Sequence, residues 1–113
     1  MDLRLKEPER HKAVLVDAVP GRERFLEALF LDRGILIVGR YATLAELNTL
    51  HNLSTCDLII AYVDIIDETA CRAIRKATDS FGRALLVITE TADSTQIADA
   101  VLAGADSVLP IGA

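Results

Sequence analysis

The strongest constraint on this chain is an alternation between two kinds of segment. Short, unbroken apolar runs rich in β-branched residues take turns with longer segments of helical periodicity. Ala13–Ala18, Ile35–Gly39, Leu58–Val63, Ala84–Ile88 and the shorter Ser107–Leu109 read as five strands. Pro20–Asp32 reads as a helix with Phe25, Leu26, Leu29 and Phe30 on one face, Pro20 in its first turn and Gly34 as its stop. Thr43–Glu46 is a capping box that opens a second helix, with Leu44, Leu47, Leu50 and Leu53 pointing one way. Asp67 caps a third, running to about Ser80, with Ala70, Ala73, Ile74 and Ala77 inward. Asp93–Gln96 is another capping box. It starts a fourth helix whose buried face is expected on Ile97, Val101 and Leu102, and Gly104 ends it.

Strands that are apolar on both faces are covered on both faces. Right-handed crossovers then require a parallel sheet with helices on either side, a doubly wound α/β domain. In such sheets the functional crevice lies beyond the C-terminal ends of the strands. The residues there are Asp17, Gly39-Arg40, Tyr62 to Asp67, Thr89-Glu90, and Pro110 onward. Residues 1–12 are polar and aperiodic and read as a flexible leader, which leaves 13–113 as one domain.

Composition removes several classes of function. A chain of 113 residues with 51% apolar and 26% charged residues builds one core and is not disordered. No apolar run approaches the roughly 18–20 residues of a membrane span, and the charged start MDLRLKEPERHK is no signal peptide, so a cytoplasmic, membrane-free protein is expected. Twelve basic against seventeen acidic residues, with no Trp, give neither a basic stripe nor stacking rings for nucleic acid. Cys56 and Cys71 read as small buried thiols, and with His11 and His51 they lack the spacing of a zinc site. Asp17 alone is a candidate Mg²⁺ ligand, or else a turn or cap acid. No enzyme and no cofactor are expected. No His stands at a strand end, no CxxC occurs, and Ala18-Val19-Pro20-Gly21 is no glycine-rich phosphate loop.

From Lys12 to Ile111 the chain resembles a response-regulator receiver domain, CheY-like, and most those that precede a LuxR/NarL-type helix-turn-helix. The resemblance rests on Val14-Leu15-Val16-Asp17, on Asp57-Leu58-Ile59-Ile60, on Val87-Ile88-Thr89, and above all on Ala103-Gly104-Ala105-Asp106-Ser107-Val108-Leu109. It implies a flavodoxin-like five-stranded parallel sheet in the order 2-1-3-4-5. A fifth helix would begin where this chain stops, at Ile111-Gly112-Ala113. An output domain beyond that point is expected, or else an apolar patch left open that drives dimerisation. The family holds Mg²⁺ with two acids at the first strand end and an aspartate at the third, which takes the phosphoryl group. A hydroxyl residue and a lysine complete the pocket.

Placed residue by residue, the chain departs from that pattern. Asp17 matches one acid, but Ala18 stands at the second. Tyr62 stands at the phosphoacceptor position, Thr89 matches the hydroxyl, and Ile111 stands at the lysine. A neutral phenol with an ordinary pKa of about 10 is a poor Mg²⁺ ligand and a poor nucleophile at pH 7. Asp64 shares the strand face of Tyr62 but lies farther out, as a substitute acceptor or a solvated loop acid. Tyr62 is expected to fill the vacated volume, its hydroxyl bonded to Asp17 or Thr89. The resulting expectation is a pseudo-receiver of a transcriptional regulator in a two-component system. It would act by protein contact and homodimerisation, with a sensor kinase or another regulator as partner and nucleic acid reached only through an output domain. The alternatives are a small-molecule sensor using the strand-end crevice, or a receiver phosphorylated at Asp64. Gln96, Asp99, Ala100 and Ala103 are the expected contact surface.

Overall fold

A computed structural model describes residues 11–19, 21–44, 46 and 56–112. In chain order the elements are β1 (His11–Val16), α1 (Arg22–Leu31), β2 (Ile35–Tyr41), β3 (Leu58–Tyr62), α2 (Glu68–Phe81), β4 (Ala84–Thr89), α3 (Ser94–Ala103) and β5 (Ser107–Pro110). All adjacent strands pair in parallel, in the order β2-β1-β3-β4-β5. This is the doubly wound sheet expected from the alternation of segments.

The period-two alternation along each strand divides the core into two layers. Ala13 and Leu15 of β1, with Ile60, Tyr62 and Ile88, pack under Leu26 and Phe30 of α1. Val14 and Val16, with Ile59, Ala61, Leu85 and Val87, pack under Ile74 of α2 and Ala100 and Ala103 of α3. Full burial of side chains such as Leu26 or Ile74 contributes about 1.5–3 kcal/mol each.

Local signals hold where side chain and backbone meet. Asp67 accepts a hydrogen bond from the Ala70 amide at 2.9 Å and caps α2. Asp93 and Gln96 form both halves of the box that opens α3. Glu46 Oε1 accepts from the Ala42 and Thr43 amides at 2.6 and 3.2 Å. The remainder of the expected second helix, with Leu47, Leu50 and Leu53, lies outside the described residues.

Several expectations need correction. The strand begins at His11, so His11 and Lys12 belong to the sheet rather than to a leader, and it ends at Val16, before Asp17 and Ala18. Asp57 explains the early start: its amide donates to the Lys12 carbonyl at 2.7 Å, and its carboxylate accepts from the Lys12 amide at 3.1 Å. Phe25 is exposed on α1 rather than part of the inner face. On α3 the buried residues are Ala100 and Ala103, while Val101 and Leu102 face outward. Ala100 and Ala103 therefore cannot form the expected contact surface, and Gln96 is engaged in the cap. Of that set only Asp99 is exposed. The physical reason is close packing between α2 and α3. A Cβ added at Gly104, just beyond α3, would lie 2.4 Å from Thr78 Oγ1 of α2. A helix so near its neighbour turns its smallest side chains inward.

Candidate functional site

The C-terminal ends of β1, β3 and β4 bring Asp17, Tyr62, Asp64, Thr89 and Glu90 together, with Arg22 from the start of α1. Asp17 follows β1 directly, and its side chain is only 3% exposed. Arg22 grips it with two parallel bonds, Nε to Oδ2 and Nη2 to Oδ1, each 2.6 Å. The Val19 amide adds a third at 3.0 Å to Oδ1. Gly21 makes this return possible. It sits at the N-cap of α1 with φ 92°, a left-handed conformation that favours glycine, and it turns the chain back toward β1. A cation at a helix N-terminus opposes the helix dipole, and the fork onto Asp17 offsets that. The same fork raises the guanidinium pKa further above its already high value.

Tyr62 ends β3 and is 9% exposed. Arg22 covers its ring, with the guanidinium carbon 3.4 Å from the ring centroid, a cation–π contact. The phenol donates to Glu90 Oε1 at 2.9 Å. The expected partners of that hydroxyl, Asp17 and Thr89, are both occupied elsewhere. Burial first, and the bond to Glu90 second, push the Tyr62 pKa up, against a smaller opposing pull from Arg22. The ring is thus held as a neutral phenol between a cation and a carboxylate.

Thr89 is fully buried. Its hydroxyl lies 3.4 Å from the carbonyl oxygens of Asp64 and of Thr91, so it faces the loops beyond β3 and β4 and not the crevice acids. Asp64 is 74% exposed and reaches Arg22 Nη2 only at 3.7 Å. Ala18 is exposed and offers no polar side chain. Ile111 continues the pairing of β5 through its amide to the Thr89 carbonyl, and it packs on the same core layer as Tyr62. At the end of β2, Arg40 borders the cleft beside Asp17 and forms an ion pair with Glu27 of α1, which lowers the Glu27 pKa. A cleft of about 310 Å³ lies between the ends of β1 and β2, bounded by Leu15, Asp17, Ala18, Tyr41 and Glu46.

Glu90 stood among the strand-end residues in the sequence, but Arg22 did not. One local signal could have marked it: a basic residue in the first turn of a helix, after Pro20-Gly21, needs a nearby carboxylate.

No protein-family model matches the sequence, and no curated protein matches it. Solved structures do match. A LuxR-family two-component response regulator from Aurantimonas sp. superposes with a TM-score of 0.75 at 22% identity, over 88% of this chain and 73% of that one. The CheY of a CheX–CheY–BeF3–Mg²⁺ complex from Borrelia burgdorferi superposes with a TM-score of 0.75 at 11% identity, over 93% and 81%. This chain has the receiver fold. A protein described as pilus-assembly-related, from Burkholderia pseudomallei, carries the same receiver fold, with a TM-score of 0.79 at 22% identity over 89% and 78%. At such identities the likeness is one of architecture, and the crevice must be judged on its own residues. No helix among the described residues of this receiver fold is long and apolar enough to cross a membrane.

Proposed function

We propose that this receiver-fold domain is a regulatory module of a two-component-type response regulator that works without aspartyl phosphorylation. The observation that carries this reading is Tyr62. It stands where the sheet presents its third strand end to the crevice, buried, capped by Arg22 and bonded to Glu90. Phosphoryl transfer to a carboxylate needs a metal-held nucleophile and a cation for the incoming charge. A neutral phenol supplies neither, and Arg22, the cation against its ring, is committed to Asp17. Such a domain keeps a single crevice conformation and signals by contact, as a homodimer or with a regulatory partner. Exposed Val101, Leu102 and Leu109 on α3 and β5 supply apolar surface for a second copy. The LuxR-family neighbour favours a place upstream of a DNA-binding domain in transcription control.

The test is incubation with acetyl phosphate, or with beryllofluoride, in the presence of Mg²⁺. The expected result is no phosphoryl adduct in the intact mass and no change in the amide spectrum around Asp17 beyond that given by Mg²⁺ alone. An adduct on Asp64 overturns the reading.

The cleft beside Asp17 favours a second reading, a module that senses a small molecule there. A thermal-shift screen checks it, since a ligand that prefers the folded state raises Tm.

A further inference from the structure

Arg22 lies between two carboxylates that follow different strands. Its Nη2 is 2.6 Å from Asp17 Oδ1 and 3.7 Å from Asp64 Oδ1, and its Nε takes Asp17 Oδ2 at 2.6 Å. Both oxygens of Asp17 are therefore committed, one of them twice, because the Val19 amide also donates to Oδ1. Only 3% of its side chain is exposed, so although Asp17 borders the cleft between β1 and β2 it turns little carboxylate surface toward a hydrated ion. A hard divalent cation binds through carboxylate oxygens, and Mg²⁺ takes one or two of them and keeps water for the rest. A cation shared by Asp17 and Asp64 would have to stand where the guanidinium stands. The Tyr62 ring, 3.4 Å from the guanidinium carbon, backs it from the other side. The guanidinium keeps its charge at any pH a protein survives, and its planar fork matches a carboxylate in a way no hydrated ion does.

We infer that Arg22 is a resident cation that closes this crevice to divalent metal ions. The inference rests on the functional reading above and gives it a cause. Position 62 carries no phosphate-accepting carboxylate, and Asp17 is also already neutralised from within. It follows that restoring a carboxylate at position 62 is not enough. In Tyr62→Asp the new acid joins Asp17 and Asp64 around the same guanidinium, and the metal stays out. Two changes are required, one to supply the acid and one to remove the cation.

The experiment is a Mg²⁺ titration, read by amide chemical shifts and by thermal unfolding. It is run on the wild type, on Tyr62→Asp and on the double variant Arg22→Met/Tyr62→Asp, in which methionine keeps a long apolar side chain over position 62. Saturable shifts at Ala18, Val19 and Val63, with a rise in Tm, are expected in the double variant alone. Its affinity for Mg²⁺ should exceed that of Tyr62→Asp by at least about tenfold. Adding Asp17→Asn to the double variant should abolish the response. Should the methionine variant fold poorly, Arg22→Gln/Tyr62→Asp is read in the same way, its amide able to bond Asp17. Saturable Mg²⁺ binding at these amides in the wild type overturns the inference. So does binding by Tyr62→Asp as tight as by the double variant, and so does the lack of any Mg²⁺ response in both double variants. Mg²⁺ binding by the wild type without a phosphoryl adduct sinks this inference and leaves the functional reading in place, whereas an adduct sinks that reading.

Discussion

Tyr62 is a residue whose chemistry is set by what lies around it. Burial and the Glu90 carboxylate both favour its protonated form and raise its pKa above the ordinary tyrosine value. The sign follows from linkage. A group with a raised pKa in the folded state stabilises the fold fully below the unfolded value, about pH 10, and this stabilisation is lost as pH rises through the folded value. Tyr41 and Tyr62 are the two tyrosines of the chain, so a Tyr41→Phe protein reports Tyr62 alone. Its spectrophotometric titration should show a midpoint above about 10, and Glu90→Gln should move that midpoint down. A midpoint at the ordinary value would mean that the phenol is not held against Glu90. The position of Tyr62 at a strand end was readable from the strand pattern. Its partners were not, because Asp17, the nearer-looking choice, is bound by an arginine that strand periodicity says nothing about.

Among the elements, α3 is the instructive one. Ile97, Ala98, Ala100, Val101, Leu102 and Ala103 make the helix apolar around most of its circumference, so periodicity alone does not select its buried face. The selection is made by distance to α2. Small Ala100 and Ala103 go inward, and Gly104 leaves no room for a Cβ beside Thr78 and has φ 128°, outside what other residues adopt comfortably. Gly104→Ala should therefore cost about 1–3 kcal/mol from overpacking and backbone strain together. Thr78→Ala in that background should recover part of the loss, because it removes the Oγ1 and Cγ2 atoms that the new methyl meets. Urea unfolding of the two single variants and the pair gives the coupling, and strict additivity would show that the α2–α3 approach is not the cause. The helix starts behave differently. The caps at Asp67 and Asp93 were legible because each is a contact within one turn, between residues three apart in sequence.

For the whole molecule, the order β2-β1-β3-β4-β5 leaves β2 and β5 as edges and puts α1 on one face, with α2 and α3 on the other. The outward residues of α3 and β5 then decide how the domain meets a second copy. Leu102 is 79% exposed, so Leu102→Glu should leave stability within about 0.5 kcal/mol. It should also weaken any concentration-dependent self-association measured by sedimentation velocity. Unchanged association would place the contact elsewhere. The alternation of apolar runs and helical segments was enough to dictate five parallel strands with helices on both faces, because each segment's period is a local property and crossover handedness leaves few ways to join them. It also marked the strand ends as the place to look. The ion pair at the centre of the crevice, the choice of Glu90 over Thr89 as partner for Tyr62, and the inward turn of Ala100 and Ala103 came only with the folded chain. Each depends on distances between residues far apart in sequence, and those distances are set by packing rather than by any local pattern.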